Sequence, residues 1–271
     1  MLTHGSLFSG IGGFDLGFER AGIKTLWQVE NDPYAAAVLE KHWPNVKRYG
    51  DIKAIEWEAV EVPDIVSGGF PCQDLSGGHP KGRGLSGARS GLFYEYIKAI
   101  NGIKPTWFVV ENVLGFKRKN AGREFGQALI ALDATLYNVA GRDIDARYFG
   151  VAQQRARTFL VGNSRSAAAA AEVLFKRSGD KRIDKTRRAA PLAVCITARG
   201  PGSLDDRETY IVEADGIRRL TPLEVERAMG FPDNWTEGLS DTRRYKLLGN
   251  AIVPQIAEWL GRRIIEFDLA R

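Results

Sequence analysis

Cys72 and Cys195 are the only cysteines in the chain, and Cys72 is the one with neighbours suited to chemistry. It sits in Gly68-Gly69-Phe70-Pro71-Cys72-Gln73-Asp74-Leu75-Ser76, directly after the apolar run Asp64-Ile65-Val66. Cysteine more often serves as a small buried apolar residue. Here the flanking glycines and proline argue instead for a rigid, exposed loop at the end of a strand. A free thiol titrates near about 8.5, so a nucleophile at this position needs cationic or dipolar help. Arg155 and Arg157, in Gln153-Gln154-Arg155-Ala156-Arg157, are the candidates to give it. Glu111-Asn112-Val113 ends another apolar run, residues 107–110, and an acid there is costly unless it is used or caps a helix. A carboxyl that stays protonated can donate to a ring nitrogen of a base, which activates a pyrimidine toward attack at carbon 6.

A second group of residues suits a nucleoside ligand. Phe8-Ser9-Gly10-Ile11-Gly12-Gly13-Phe14 follows a strand and opens a helix, so its glycines allow a tight turn and close approach to a ligand at the helix N-terminus. Taken alone, such a turn is often structural. Glu30, at the end of the next strand, can hold both hydroxyls of a ribose, and Asp51-Ile52 ends a third strand, where a carboxylate could accept from an adenine amino group. Either acid could equally be a helix cap, and for Asp51 by itself that is the better reading.

These residues need a scaffold that brings strand ends to one edge. Short β-type runs at Leu7-Phe8, 25–29, 64–66, 107–110 and 159–161 alternate with helical stretches such as 33–41 and 91–103, the pattern of an α/β fold with a mostly parallel sheet. Ligands of such sheets bind at the carboxyl ends of the strands. The expected organisation is a catalytic and cofactor-binding domain over 1–162, a small region over 163–217, and a C-terminal segment over 218–271 that packs back on the first. The middle region holds an alanine run, a basic stretch, and β-type runs at 193–197 and 209–212 around a Gly/Pro/Asp turn. Thr221-Pro222-Leu223-Glu224 has the form of a capped helix start, and residues 249–265 read as a loop entering a last helix.

Lys and Arg outnumber Asp and Glu by 38 to 33 in 271 residues, a balance that favours an acidic partner without proving one. Residues 176–188 alone hold seven basic and two acidic side chains, which suits a phosphate-binding face or a solvated loop equally well. The absence of an apolar leader or a membrane-length run, and of paired cysteines or zinc spacing, leads us to expect a cytoplasmic protein with no metal and no membrane role.

In the order in which they occur, 8–17, 69–76, 111–113, 153–157, 219–235 and Leu248-Gly249-Asn250-Ala251 resemble the conserved segments of cytosine-5 DNA methyltransferases of bacterial or phage type. The resemblance spans nearly the whole chain apart from the insert. It implies a Rossmann-like sheet that binds S-adenosylmethionine, a small target-recognition subdomain, and methyl transfer to carbon 5 of a cytosine flipped out of double-stranded DNA. By that likeness Cys72 attacks carbon 6 and Glu111 holds the ring nitrogen and exocyclic amine. Arg157 contacts the cytosine carbonyl oxygen, with Arg155 beside it in the same pocket. Around the cofactor it implies Phe8, Ser9, Gly10, Gly12, Gly13, Glu30, Asn31, Asp51, Ile52, Pro71, Leu92, Asn250 and Ala251. At Asn31 the family often has an aromatic residue packed on the adenine, so this chain departs there.

The segment 77–89, rich in glycine and carrying Lys81 and Arg83, resembles the loop that closes over DNA, and ordering it is entropically costly. Ser76, Lys81 and Arg83 are therefore expected to contact DNA, and Ile196-Thr197 to lie near the target base. The insert is short for the family, which implies a short or relaxed target sequence or reliance on a partner. A monomer is expected, with any cognate restriction endonuclease acting separately. A branch of the family that methylates transfer RNA carries Cys-Phe-Thr where this chain has Cys72-Gln73-Asp74. A non-catalytic relative would have little reason to keep Cys72, Glu111, Arg157 and Asn250. A zinc deaminase would need a second cysteine three residues on and a His-x-Glu, both missing.

Overall fold

A computed structural model describes residues 1–70, 91–166, 168–175, 209–213 and 216–270. Its centre is a seven-stranded sheet in the order β3-β2-β1-β4-β5-β7-β6. The strands are β1 (Thr3–Leu7), β2 (Lys24–Val29), β3 (Lys47–Tyr49), β4 (Ile65–Gly68), β5 (Trp107–Val113), β6 (Asn138–Asp145) and β7 (Ala156–Asn163). β1 to β5 pair in parallel, whereas β7 runs antiparallel to both β5 and β6. The α/β expectation holds, with β7 the strand that turns against the rest.

Alternation of side chains across the sheet divides the core in two. Trp107 and Val109 of β5 join one apolar cluster with Phe14 and Phe18, while Phe108 and Val110 join the other with Phe93 and Ile100. Burying each such side chain contributes about 1.5–3 kcal/mol. The first cluster is closed by α1 (Gly13–Arg20), α2 (Pro33–His42) and α9 (Pro254–Leu269), the second by α3 (Gly91–Ile103) and α5 (Arg123–Asp133). Asp32 starts α2 as its N-cap, accepting from the Tyr34 amide at 2.9 Å. α4 (Gly115–Arg118) follows β5, and α6 (Ala169–Leu174) packs on β6 and β7.

The C-terminal segment does fold back. α9 meets α1 at two glycines, where a Cβ on Gly17 would stand 2.3 Å from the Pro254 carbonyl oxygen and one on Gly261 2.9 Å from Phe18. Helices approach that closely only where a side chain is missing. α7 (Pro222–Met229) opens with the expected capping box, in which the Thr221 hydroxyl accepts from the Glu224 amide at 3.3 Å and Glu224 accepts from the Thr221 amide at 2.7 Å. α8 (Asp241–Asn250) then leads to the loop before α9.

Two strand expectations change. β6 has no counterpart in the sequence reading, because as an edge strand it buries only Ile144 fully and its alternation is masked by Gly141 and Arg142. The run at 209–212 pairs with its immediate neighbour in the chain, and 193–197 lies outside the described residues. β8 (Tyr210–Glu213) and β9 (Gly216–Arg219) form an antiparallel hairpin across a two-residue gap, the shortest connection antiparallel strands allow.

Candidate active site

The carboxyl ends of the parallel strands place the sequence candidates in a row. Glu30 follows β2, the loop from Phe8 to Gly12 follows β1, Gly69 and Phe70 follow β4, Glu111 lies in β5, and Arg157 lies near the start of β7. At about 4.8 Å per strand spacing, the row from β2 to β5 spans about 14 Å. One end of it is lined by backbone amides and the other by guanidinium groups.

At the first end the loop is held in left-handed conformations at Phe8 (φ 52°), Gly10 (φ 57°) and Gly12 (φ 82°). The phenylalanine there is uncommon for a residue with a Cβ. Gly12 and Gly13 are required by packing, since a Cβ would come 2.3 Å from Trp43 and 2.3 Å from Ile252. Gly10 has no described atom within 4 Å of such a Cβ, so its face is open to a ligand. The loop is tied to β2 by Ser9, whose amide donates to the Val29 carbonyl at 3.0 Å. Glu30 accepts from the Gly10 amide at 2.7 Å and the Asp32 amide at 2.8 Å. Burial pushes its carboxyl up, against the pull of those amides.

Asp51 is the N-cap of a short 3-10 turn, accepting from the Lys53 amide at 3.0 Å, while Ile52 is buried beneath it. Asn31 is exposed, and Leu92 is half-buried at the start of α3. Asn250 is the exposed last residue of α8, and Ala251 is buried. Trp235, the last residue of the segment 219–235, reaches the cofactor end. Its indole N–H donates to the Ile11 carbonyl at 2.9 Å, and its ring stacks on His42 at 3.5 Å.

At the second end β5 outruns β4. Gly68 of β4 pairs with Val110, and beyond that rung β5 continues to Val113 against β7 alone. Glu111 is therefore inside a strand rather than after one, on the first rung past the end of β4. Its Oε1 pairs with Arg157 Nε at 3.1 Å, and its Oε2 lies 3.0 Å from where a Cβ of Gly69 would be. A side chain at position 69 would crowd this carboxyl. Burial raises the Glu111 carboxyl, and the charges of Arg157 and Arg155 oppose the rise. Arg155 is buried and spans to the C-terminal loop, donating from Nη2 to the carbonyls of Gly249 at 3.0 Å and Ala251 at 2.9 Å. It thus joins the two ends of the row.

Pro71, Cys72, Ser76, Lys81, Arg83, Ile196 and Thr197 lie outside the described residues. Phe70, two residues before Cys72, is buried against Phe93 and Phe116 at 5.2 and 5.7 Å. The sequence reading missed Ser6, Asp15 and Gln28, a buried polar group under the glycine loop. An acid between Phe14 and Leu16 in the first turn of α1 was the available signal.

A model of the C-5 cytosine-specific DNA methylase family matches residues 2–191 and 175–266. The chain belongs to that family. Its members are S-adenosylmethionine-dependent DNA (cytosine-5-)-methyltransferases. The type II methyltransferase M2.BsuMI of Bacillus subtilis (strain 168) is 31% identical, over 96% of this chain and 74% of its own. M.HpaII of Haemophilus parainfluenzae is 29% identical, over 96% and 88%. Among solved structures, a DNA modification methyltransferase encoded within an E. coli prophage superposes with TM-score 0.71 at 18% identity, covering all of both chains. The S. pombe Dnmt2 methyltransferase does so with TM-score 0.73 at 18% identity, over 98% and 99%. Both likenesses are of fold.

The residues of this methylase fit its family's cofactor. A carboxylate at the end of β2 suits a ribose diol, and the open face over Gly10 leaves room for a ligand that a side chain would fill. Among the described residues no group of three or more His, Cys, Asp or Glu could hold a metal, and no helix is long and apolar enough to cross a membrane.

Proposed function

We propose that the protein methylates carbon 5 of a cytosine flipped out of double-stranded DNA, by way of a covalent bond between Cys72 and carbon 6. The observation that supports this most is Glu111, a buried carboxyl with a raised affinity for its proton, standing beside Gly69 on the segment that leads to Cys72. A protonated Glu111 donates to the ring nitrogen and draws electrons from the ring, which opens carbon 6 to the Cys72 thiolate. Bond formation at carbon 6 moves electron density to carbon 5. Bound S-adenosylmethionine supplies the methyl group there. Loss of the carbon 5 proton and of the carbon 6 to sulfur bond restores aromaticity and the thiolate. Arg157, within 3.1 Å of Glu111, is placed to contact the cytosine carbonyl oxygen and to favour the thiolate. The target edge is unreachable inside a stacked duplex, so the base must leave the helix at a cost of a few kcal/mol.

Glu30, Asp51, the loop from Phe8 to Gly13, Ile52, Pro71, Leu92, Asn250 and Ala251 hold the cofactor, with Asn31 giving no aromatic cover to the adenine. Ser76, Lys81 and Arg83 meet the DNA, and the region 163–217, with Ile196 and Thr197 near the base, chooses the target. The packing of α9 on α1 supports treating 218–271 as part of the catalytic body. The names of the type II relatives support a place in a restriction-modification system; there the protein acts in the cytoplasm as a monomer, beside a separate endonuclease.

The test is incubation with labelled S-adenosylmethionine and either mixed-sequence duplex DNA or total transfer RNA, followed by nucleoside analysis and bisulfite sequencing. 5-Methylcytosine in DNA is the expected product, in a sequence context that names the target. Label confined to RNA would replace DNA as the substrate, and label in neither would remove the catalytic reading.

A further inference from the structure

Asp15, in the first turn of α1, is completely buried. Its carboxyl accepts from the Ser6 hydroxyl at 3.1 Å and from the Gln28 amide nitrogen at 3.0 Å. Ser6 and Gln28 are direct partners in the pairing of β1 with β2, so Asp15 sits astride one rung of that ladder. The next rung is Leu7 with Val29, after which β1 becomes the glycine loop and β2 reaches Glu30. Gln28 Oε1 is buried without a hydrogen-bond partner, so among the described residues its side chain is held by Asp15. A buried carboxyl is expensive to keep in a core, and an apolar residue would pack α1 on the sheet without that cost.

We infer that Asp15 is a positioning residue for the cofactor, clamping the ends of β1 and β2 so that the glycine loop and Glu30 stand at a fixed separation. The inference rests on the reading of this end of the sheet as the cofactor site.

Ionisation governs the clamp. Burial pushes the Asp15 carboxyl up to about 7, against the downward pull of its bonds from Gln28 and Ser6. Ionised, it accepts both bonds; protonated, one oxygen carries a hydrogen and one of the two bonds must be remade. Cofactor affinity therefore falls as pH drops through about 7. The other groups facing Asp15 do not reproduce this. His4, on the same face of β1, is lowered to about 3 by burial and stays neutral over the range. Glu19, one turn along α1, is bonded by the Trp43 indole at 2.6 Å. On α9, Glu258 and Arg262 pair with each other. Glu30 and Glu19 are the competitors, since burial raises both. Stability runs the other way: with its folded value above its unfolded one, Asp15 contributes most below the unfolded value of 3.8, and this contribution is lost as pH rises to about 7.

The experiment measures binding of S-adenosylmethionine and S-adenosylhomocysteine to the whole chain by calorimetry, from about pH 6 to about pH 8.5. The unaltered protein is expected to lose about tenfold in affinity for both ligands toward the acid end. Asp15→Asn should start about tenfold weaker and give a flat profile. Ser6→Ala, a milder change should the first variant not fold, should weaken binding severalfold and move the midpoint up, because the Ser6 bond holds the carboxyl down. A purely structural role would change melting temperature without moving that midpoint. A titration that persists in Asp15→Asn belongs to Glu30 or Glu19 and overturns the inference. So does a loss confined to the cationic S-adenosylmethionine, which would mean attraction rather than positioning. No binding by the unaltered chain at any pH would remove the cofactor reading itself, and the role of Asp15 with it.

Discussion

Glu30 and Glu111 stand on the same edge of one sheet, and burial raises both carboxyls, yet they are held by different means. Glu30 is gripped by backbone amides of Gly10 and Asp32, neutral donors whose positions are set by the glycine loop and by α2. Glu111 meets two guanidiniums, Arg157 in contact and Arg155 behind it. Neutral amides fix where a carboxylate sits and leave it free to accept from a polar ligand. Opposed cations and burial instead tune how readily a carboxyl gives up its proton, which is what a proton donor needs. Under the proposed function the two ends of the row serve recognition and proton handling, with Arg155 joining them through the Gly249 and Ala251 carbonyls.

Breaking the chemical end should give the largest effects. Cys72→Ala is expected to lower methyl transfer at least about 10³-fold while leaving cofactor affinity intact, checked by filter-bound label and calorimetry on one preparation. Transfer surviving in that variant would exclude Cys72 as nucleophile. Glu111→Gln should reduce the single-turnover rate by about 10²- to 10⁴-fold, again with cofactor affinity unchanged. At the recognition end the pattern inverts: Glu30→Gln should weaken S-adenosylhomocysteine binding about 10- to 100-fold, with a smaller effect on rate at saturating cofactor.

Arg157→Leu separates the electrostatics from the chemistry. It strips Glu111 of its contact cation and should cost about 1–3 kcal/mol in chemical denaturation, less than a forced buried charge because Glu111 can take up a proton. With the Arg157 charge gone the Glu111 carboxyl rises further above its unfolded value, so the loss should grow as pH rises and shrink as pH falls. The smallest effect is expected at Asp51→Asn, which keeps an oxygen to cap the turn before Lys53. Stability should stay within about 0.5 kcal/mol, with severalfold weaker cofactor binding. Unchanged affinity would leave Asp51 as a cap alone.

Much of this architecture was legible in the residues. The runs of β4, β5 and β7 are apolar on both faces because helices cover both sides of the sheet, so they stand out in the chain, whereas β1 and β2 give apolar side chains to one cluster only. β6 did not, since an edge strand with one fully buried residue carries no such signal. β9 was not foreseen either, because Gly216-Ile217-Arg218-Arg219 carries one apolar side chain and buries none fully.

The sequence by itself determined the chemistry available to this protein: a cysteine in a glycine and proline setting, acids at the ends of apolar runs, arginines in a fixed spacing, and a glycine loop before a helix. Composition and order suffice for that, because side-chain chemistry and local backbone freedom are properties of the residues themselves. Tertiary structure decided which of them meet. Glu111 faces Arg157 because β7 runs antiparallel to β5, Gly69 lies against Glu111 because β5 outruns β4, and Asp15 bridges Ser6 and Gln28 because α1 lies over that rung. Each is a contact between residues far apart in the chain, set by strand direction and helix packing rather than by any local preference.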